Sequence, residues 1–190
     1  MENKFFTFIK PYLSFIDNGH LYRKPVSWLY TLLAVVNLFL PIYGFNQSVD
    51  DVDFTSAKSI IVFLLLWLTI AFACWVSFQL WWDRKTKVTT TSVEGDEFVA
   101  TPVFSHLIQT LGEWFGTWIG IVGFSGALLS TFAGIDVNYL SSQLGIPFLD
   151  DGFLYVILMP IYGFLIIVGA RFLAELFRAL SSIANNTRKN

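Results

Sequence analysis

Residues 101–134, TPVFSHLIQTLGEWFGTWIGIVGFSGALLSTFAG, decide how the rest of the chain is arranged. The stretch contains one acid, Glu113, and no Lys or Arg. It exceeds the roughly 20 residues a membrane helix needs. Thr101 is expected to cap this helix, with Pro102 in its first turn. Gly112, Gly116 and Gly120 recur every fourth position, and Gly123, Ala127 and Ser130 continue on roughly the same side. Small residues so spaced let a second helix approach until the backbones nearly touch. Gln109 and His106 fall one and two turns before Glu113, so the three share a polar face.

Composition agrees with a membrane chain. Of the 190 residues 55% are hydrophobic, 18% aromatic and only 14% charged, well outside the soluble range. That length suits one compact bundle without a sizeable soluble domain. The net charge of -2 offers no basis for a nucleic-acid partner. Cys74 stands alone in an apolar run, which excludes an intrachain disulfide and a cysteine-rich metal site.

The expected fold is all-α: a polytopic membrane protein with a four-helix transmembrane bundle and an N-terminal interfacial amphipathic helix. Residues 1–24 hold the interfacial helix. There Phe5, Phe8, Ile9, Tyr12, Leu13, Phe15 and Ile16 recur at helical spacing between Lys4, Lys10 and Asp17, a pattern suited to lying on the membrane surface. Pro11 is expected to bend it and Asn18-Gly19 to stop it. The spans are placed at 26–45, 57–82, 102–134 and 152–183, with the last continuing into the cytoplasm. Residues 83–101 are expected to form a flap, either a short hairpin around Glu94-Gly95-Asp96 or an extended segment, and a surface turn of helix is expected over 139–144. The sequence Pro-Ile-Tyr-Gly-Phe occurs at 41–45 and again at 160–164. A tandem duplication would align other helices, so the match is read as two kinked helix ends.

Basic residues set the topology. Lys4, Lys10, Arg23 and Lys24 precede the first span, Arg84, Lys85 and Lys87 follow the second, and Arg171, Arg178, Arg188 and Lys189 end the chain. The other two loops carry Asp50, Asp51, Asp53, Asp136, Asp150 and Asp151. Both termini and the flap are therefore expected in the cytoplasm.

No nucleotide loop, paired-histidine metal motif, Gly-x-Ser-x-Gly or Cys-x-x-Cys is present, so no catalytic residue, metal or cofactor is assigned. His20 and His106 read as interfacial hydrogen-bonding residues, and nothing in the sequence requires them to face each other across a haem. Glu113 has three readings: pairing with a base inside the bundle, snorkelling to the interface, or serving an ion or proton pathway with His106 and Gln109. Counting depth favours a specific partner. Gly134 lies about 21 residues beyond Glu113, and Arg171 about 19 beyond Gly152, so Glu113 and Arg171 fall at one level. Glu175, one turn further on, competes for Arg171, which is expected to bridge both acids.

The pattern Arg171-x-x-x-Glu175 followed by Phe177-Arg178 resembles the last helix of a family of small bacterial inner-membrane proteins known as a domain of unknown function. The similarity covers about the final quarter of the chain. It departs in a shorter Glu-to-Phe spacing and an extra hairpin, and it implies an inner-membrane protein without an assigned activity. The functional expectation is a non-enzymatic integral membrane subunit or scaffold. Its partners would be the lipid bilayer and either other integral membrane proteins or copies of itself. The alternative is a small transporter or ion-conducting oligomer using the His106/Gln109/Glu113 face.

Overall fold

The computed structural model describes residues 7–17, 20–49, 54–91, 100–133 and 152–188. Among them no strand occurs, and the chain is an all-α bundle. A short helix, α1 (Lys10–Asp17), precedes four long ones: α2 (His20–Ser48), α3 (Ala57–Lys87), α4 (Ala100–Ala133) and α5 (Gly152–Arg188). Each long helix is apolar and long enough to cross a bilayer. The outer surface agrees: Phe39, Phe72, Phe132, Phe164 and Phe172 are all exposed, an arrangement stable in lipid and prone to aggregation in water.

The helices depart from their expected bounds in instructive ways. α2 begins at His20, so residues 20–24, expected in the interfacial helix, are already part of the first long helix. It stays helical through Pro25 and Pro41. The carbonyl of Pro41 accepts a bond from Trp67 Nε1 at 2.9 Å, and Asn37 Nδ2 donates back to the Leu33 carbonyl at 2.7 Å. α3 continues past Trp82 to Lys87 and then tightens into a 3₁₀ turn, Val88–Thr90. The flap is correspondingly shorter, and its hairpin falls on residues outside those described, as do Asn18-Gly19 and the turn over 139–144. Pro11 sits in the first turn of α1, after a turn at Phe8 and Ile9, where a proline costs the helix nothing. Thr101 lies inside α4 rather than capping it, because the helix starts one residue earlier. α5 continues through Arg188.

α4 is interrupted. Ile119–Gly123 adopt π-helical geometry between two α-helical parts, Ala100–Trp118 and Phe124–Ala133. The wider turn changes the rotation per residue and so re-aims the side chains of the outer part, Phe124–Ala133.

The strongest pairings are α4 with α5 and α2 with α3. Toward the basic end, Tyr30, Ala34, Trp81, Val88 and Val103 form one buried cluster joining α2, α3 and α4. Toward the other end, Ala127 of α4 packs with Tyr155 and Met159 of α5 in a second. Two interhelical bonds fix α3: Ser27 Oγ donates to the Lys85 carbonyl at 3.1 Å at the level of the first cluster, and Trp118 Nε1 donates to Ser77 Oγ at 2.8 Å.

Candidate functional site

A side chain on a helix tilts toward that helix's N-terminus. α3 and α5 run in one direction and α4 in the other, so arginines near the basic ends of α3 and α5 reach back into the bundle. Glu113 on α4 leans the opposite way, and the three meet.

Glu113 is 4% exposed. Its Oε2 accepts from Arg84 Nε and Nη2 of α3, both at 2.9 Å. Its Oε1 accepts from Arg171 Nε at 2.9 Å and Nη2 at 2.8 Å, and from Gln109 Nε2 at 2.7 Å. Each carboxylate oxygen is thus held by the side edge of one arginine fork. Arg84 also lies 3.3 Å from Asp83, which in turn binds Lys87 at 2.7 Å. Arg178 Nη2 donates to the Gln109 carbonyl oxygen, and Arg178 Nε donates to Ser105 Oγ at 3.2 Å. The knot joins α3, α4 and α5.

Glu175 is exposed and makes no ion pair among the described residues. Arg171 therefore does not bridge two acids. It turns inward, and Glu113 is shared by two arginines instead. Arg84 was the partner hidden from sequence reading, because ending the second span at Trp82 left Arg84 in the flap. The signal available was the run of aromatic residues up to Trp82 with Arg84 one helical turn beyond Trp81.

His106 is buried and lies on a separate arm of the polar face. Its Nδ1 lies 3.1 Å from the Tyr30 hydroxyl, which donates to Thr110 Oγ1 at 3.3 Å; Thr110 donates in turn to the His106 carbonyl at 2.8 Å. Tyr30 also packs edge-on against Trp81, ring centres 5.1 Å apart, and stacks near His106 at 5.8 Å. His106, Gln109 and Glu113 share a helix face, but only Gln109 and Glu113 bond each other, while His106 meets Tyr30 and Thr110. The side chain of His20 lies outside those described, and no described group of acids, histidines and cysteines has metal-binding spacing.

The glycine row runs along α5. A methyl group on Gly112 would strike Ala170 Cβ, and one on Gly116 would strike the Gly163 carbonyl. One on Gly123 would come within 2.9 Å of Met159 Sδ. Gly120 differs: its own methyl direction is open, although a methyl on Gly163 would come 2.9 Å from the Gly120 nitrogen. It stands in the π-helical segment, and it meets Gly163 through its backbone while its own methyl direction points into open space. Ala127 returns to the contact, 2% exposed, beside Tyr155 and Met159.

Among the described residues, grooves lie beside Trp118 and Met159, beside Tyr22 and Phe104, and beside Phe72 and Gly120, and His106, Gln109 and Glu113 line none of these. Compared with known protein families, with curated proteins and with solved structures, the chain matches none.

Proposed function

We propose that this protein is a non-enzymatic, multi-pass subunit or scaffold of a cell's inner membrane, acting through its apolar outer face on other integral membrane proteins. The observation that carries this reading is the closure of the polar face of α4. Glu113 is covered by Arg84, Arg171 and Gln109, and His106 by Tyr30, so the groups a proton or ion route needs are bonded within the chain. A pathway requires such groups to line a cavity, and the grooves described above are lined by other residues among those described. The small residues Gly112, Gly116, Gly123 and Ala127 serve as the seam that seats α5 against α4. Both termini and the flap face the cytoplasm, on the charge partition. The likeness of the last helix to bacterial inner-membrane proteins belongs to the same proposal.

The test is proteoliposomes carrying an internal pH-sensitive dye, alongside photo-crosslinking from Phe72 and Phe164 in native membranes. The account expects no proton leak above protein-free vesicles, and crosslinks to a discrete membrane-protein species. A leak abolished by Glu113→Gln in folded protein would overturn it and establish the pathway reading.

A further inference from the structure

Buried polar atoms in folded proteins are nearly always bonded, so each one left over asks what completes it. Asn37 Oδ1 of α2, Trp81 Nε1 of α3 and Trp114 Nε1 of α4 are buried and have no hydrogen-bond partner among the described residues. Asn37 is 2% exposed and Trp81 1%, so both side chains are shut inside the bundle. An unbonded polar group in an apolar interior costs free energy at each of these atoms.

The three side chains belong to one part of the bundle. Tyr30, Ala34 and Asn37 follow one another along a single buried stripe of α2. Tyr30 and Ala34 share a buried cluster with Trp81, and Trp114 packs against that cluster. The Trp81 and Trp114 ring centres lie 6.0 Å apart. The bond from Asn37 Nδ2 to the Leu33 carbonyl draws the amide back one turn, to the level of Ala34. It also fixes the amide's orientation: the nitrogen faces its own helix, and Oδ1 remains as an acceptor. Ser27 meets Lys85 and Pro41 meets Trp67, so α2 and α3 are antiparallel. Seven residues on from Ser27 is Ala34, and seven back from Lys85 is Phe78, one turn before Trp81. A helical side chain leans toward its own N-terminus, so the Trp81 indole and the Asn37 amide approach one level from opposite directions.

The set comprises two N–H donors and one carbonyl acceptor. Neither indole bonds Asn37 Oδ1 directly, so the group that joins them must accept twice and donate once. An anion or a carbonyl would suit the indoles and be repelled by Oδ1. A cation would suit Oδ1 and be repelled by the indole hydrogens. Water meets both demands, is small enough for a packed interior, and commonly makes three bonds when buried. We propose that one water molecule is held between α2, α3 and α4, accepting from Trp81 Nε1 and Trp114 Nε1 and donating to Asn37 Oδ1. Asn37 lies near the middle of the apolar Tyr22–Ser48 segment, so the water forms a polar joint within the apolar layer. The Glu113 knot ties α3, α4 and α5; this joint adds α2, whatever the protein assembles with.

The test is nuclear magnetic resonance of the full chain, isotope-labelled at its tryptophans, in detergent micelles. Nuclear Overhauser transfer from selectively excited water is read at each indole proton, assigned from variants with that tryptophan replaced by phenylalanine. Trp81 and Trp114 should receive transfer with the sign of a bound, slowly exchanging water. Trp67, whose indole bonds the Pro41 carbonyl, should receive none. Asn37→Leu nearly conserves volume and removes the acceptor, and should abolish the transfer at both indoles. Tyr30→Phe should leave it intact, because the hydroxyl, a possible relay by proton exchange, is not part of the joint. Absence of transfer at Trp81 and Trp114 in the unmodified protein would overturn the proposal, as would its persistence in folded Asn37→Leu. Loss of transfer in Tyr30→Phe would trace the signal to the hydroxyl and overturn it too, and this variant decides the matter if Asn37→Leu does not fold.

Discussion

Two arginines on one carboxylate leave the knot with an excess of positive charge, and their burial is unequal. The Arg84 side chain is 18% exposed and that of Arg171 52%. Arg84→Gln should therefore lower stability by about 3 kcal/mol, as for breaking a buried pair. Arg171→Gln should cost only about 1 kcal/mol, as for a solvated one. Chemical denaturation in detergent, with helical content as the signal, checks the order; a larger loss for Arg171→Gln would contradict it. Tyr30→Phe keeps the ring against Trp81 and removes only the hydroxyl that meets His106 and Thr110, so a loss of about 1 kcal/mol is expected by the same measurement. Depth counting put Glu113 and Arg171 at one level because rise per residue is fixed along a helix. It missed Arg84 because a hydropathy boundary is not a helix boundary: polar residues past Trp82 keep helical bonds as the chain leaves the apolar zone. Tyr30 gave no signal, since its burial depends on which face of α2 meets α3 and α4.

At the scale of elements, α4 and α5 are held by backbone approach, and the glycines divide by what stands opposite. Gly116→Ala places a methyl against the Gly163 backbone, which cannot turn aside, and should cost about 1–3 kcal/mol by overpacking. Gly120→Ala meets open space and should fall within about 0.5 kcal/mol of the unmodified protein. Thermal unfolding of the pair distinguishes a contact seam from a run of lipid-facing glycines, for which the two variants would behave alike. The row of small residues was legible in the sequence because it depends only on spacing. Its break at Gly120 was not, because a π-helical segment has no residue signature comparable to proline or a cap.

For the molecule as a whole, the four spans were legible from hydropathy, and the orientation rests on the partition of Lys and Arg. Single cysteines at Ser48 and Thr90 should react with a membrane-impermeant thiol reagent from opposite sides of intact cells, Ser48 from outside, with the buried Cys74 silent. Labelling of both from outside would reverse half of the topology. The central claim is that Glu113 is a structural anion binding three helices together rather than a titrating carrier. It is tested most directly by a double-mutant cycle of Glu113→Gln, Arg84→Gln and the pair, read as unfolding free energy in one detergent. The account predicts strong coupling, about 2 kcal/mol, with the pair less destabilised than the sum of the single changes, because Glu113→Gln leaves Arg84 without its buried acceptor and Arg84→Gln leaves Glu113 Oε2 without its donors. Single effects that simply add would contradict it and leave Glu113 free for other work.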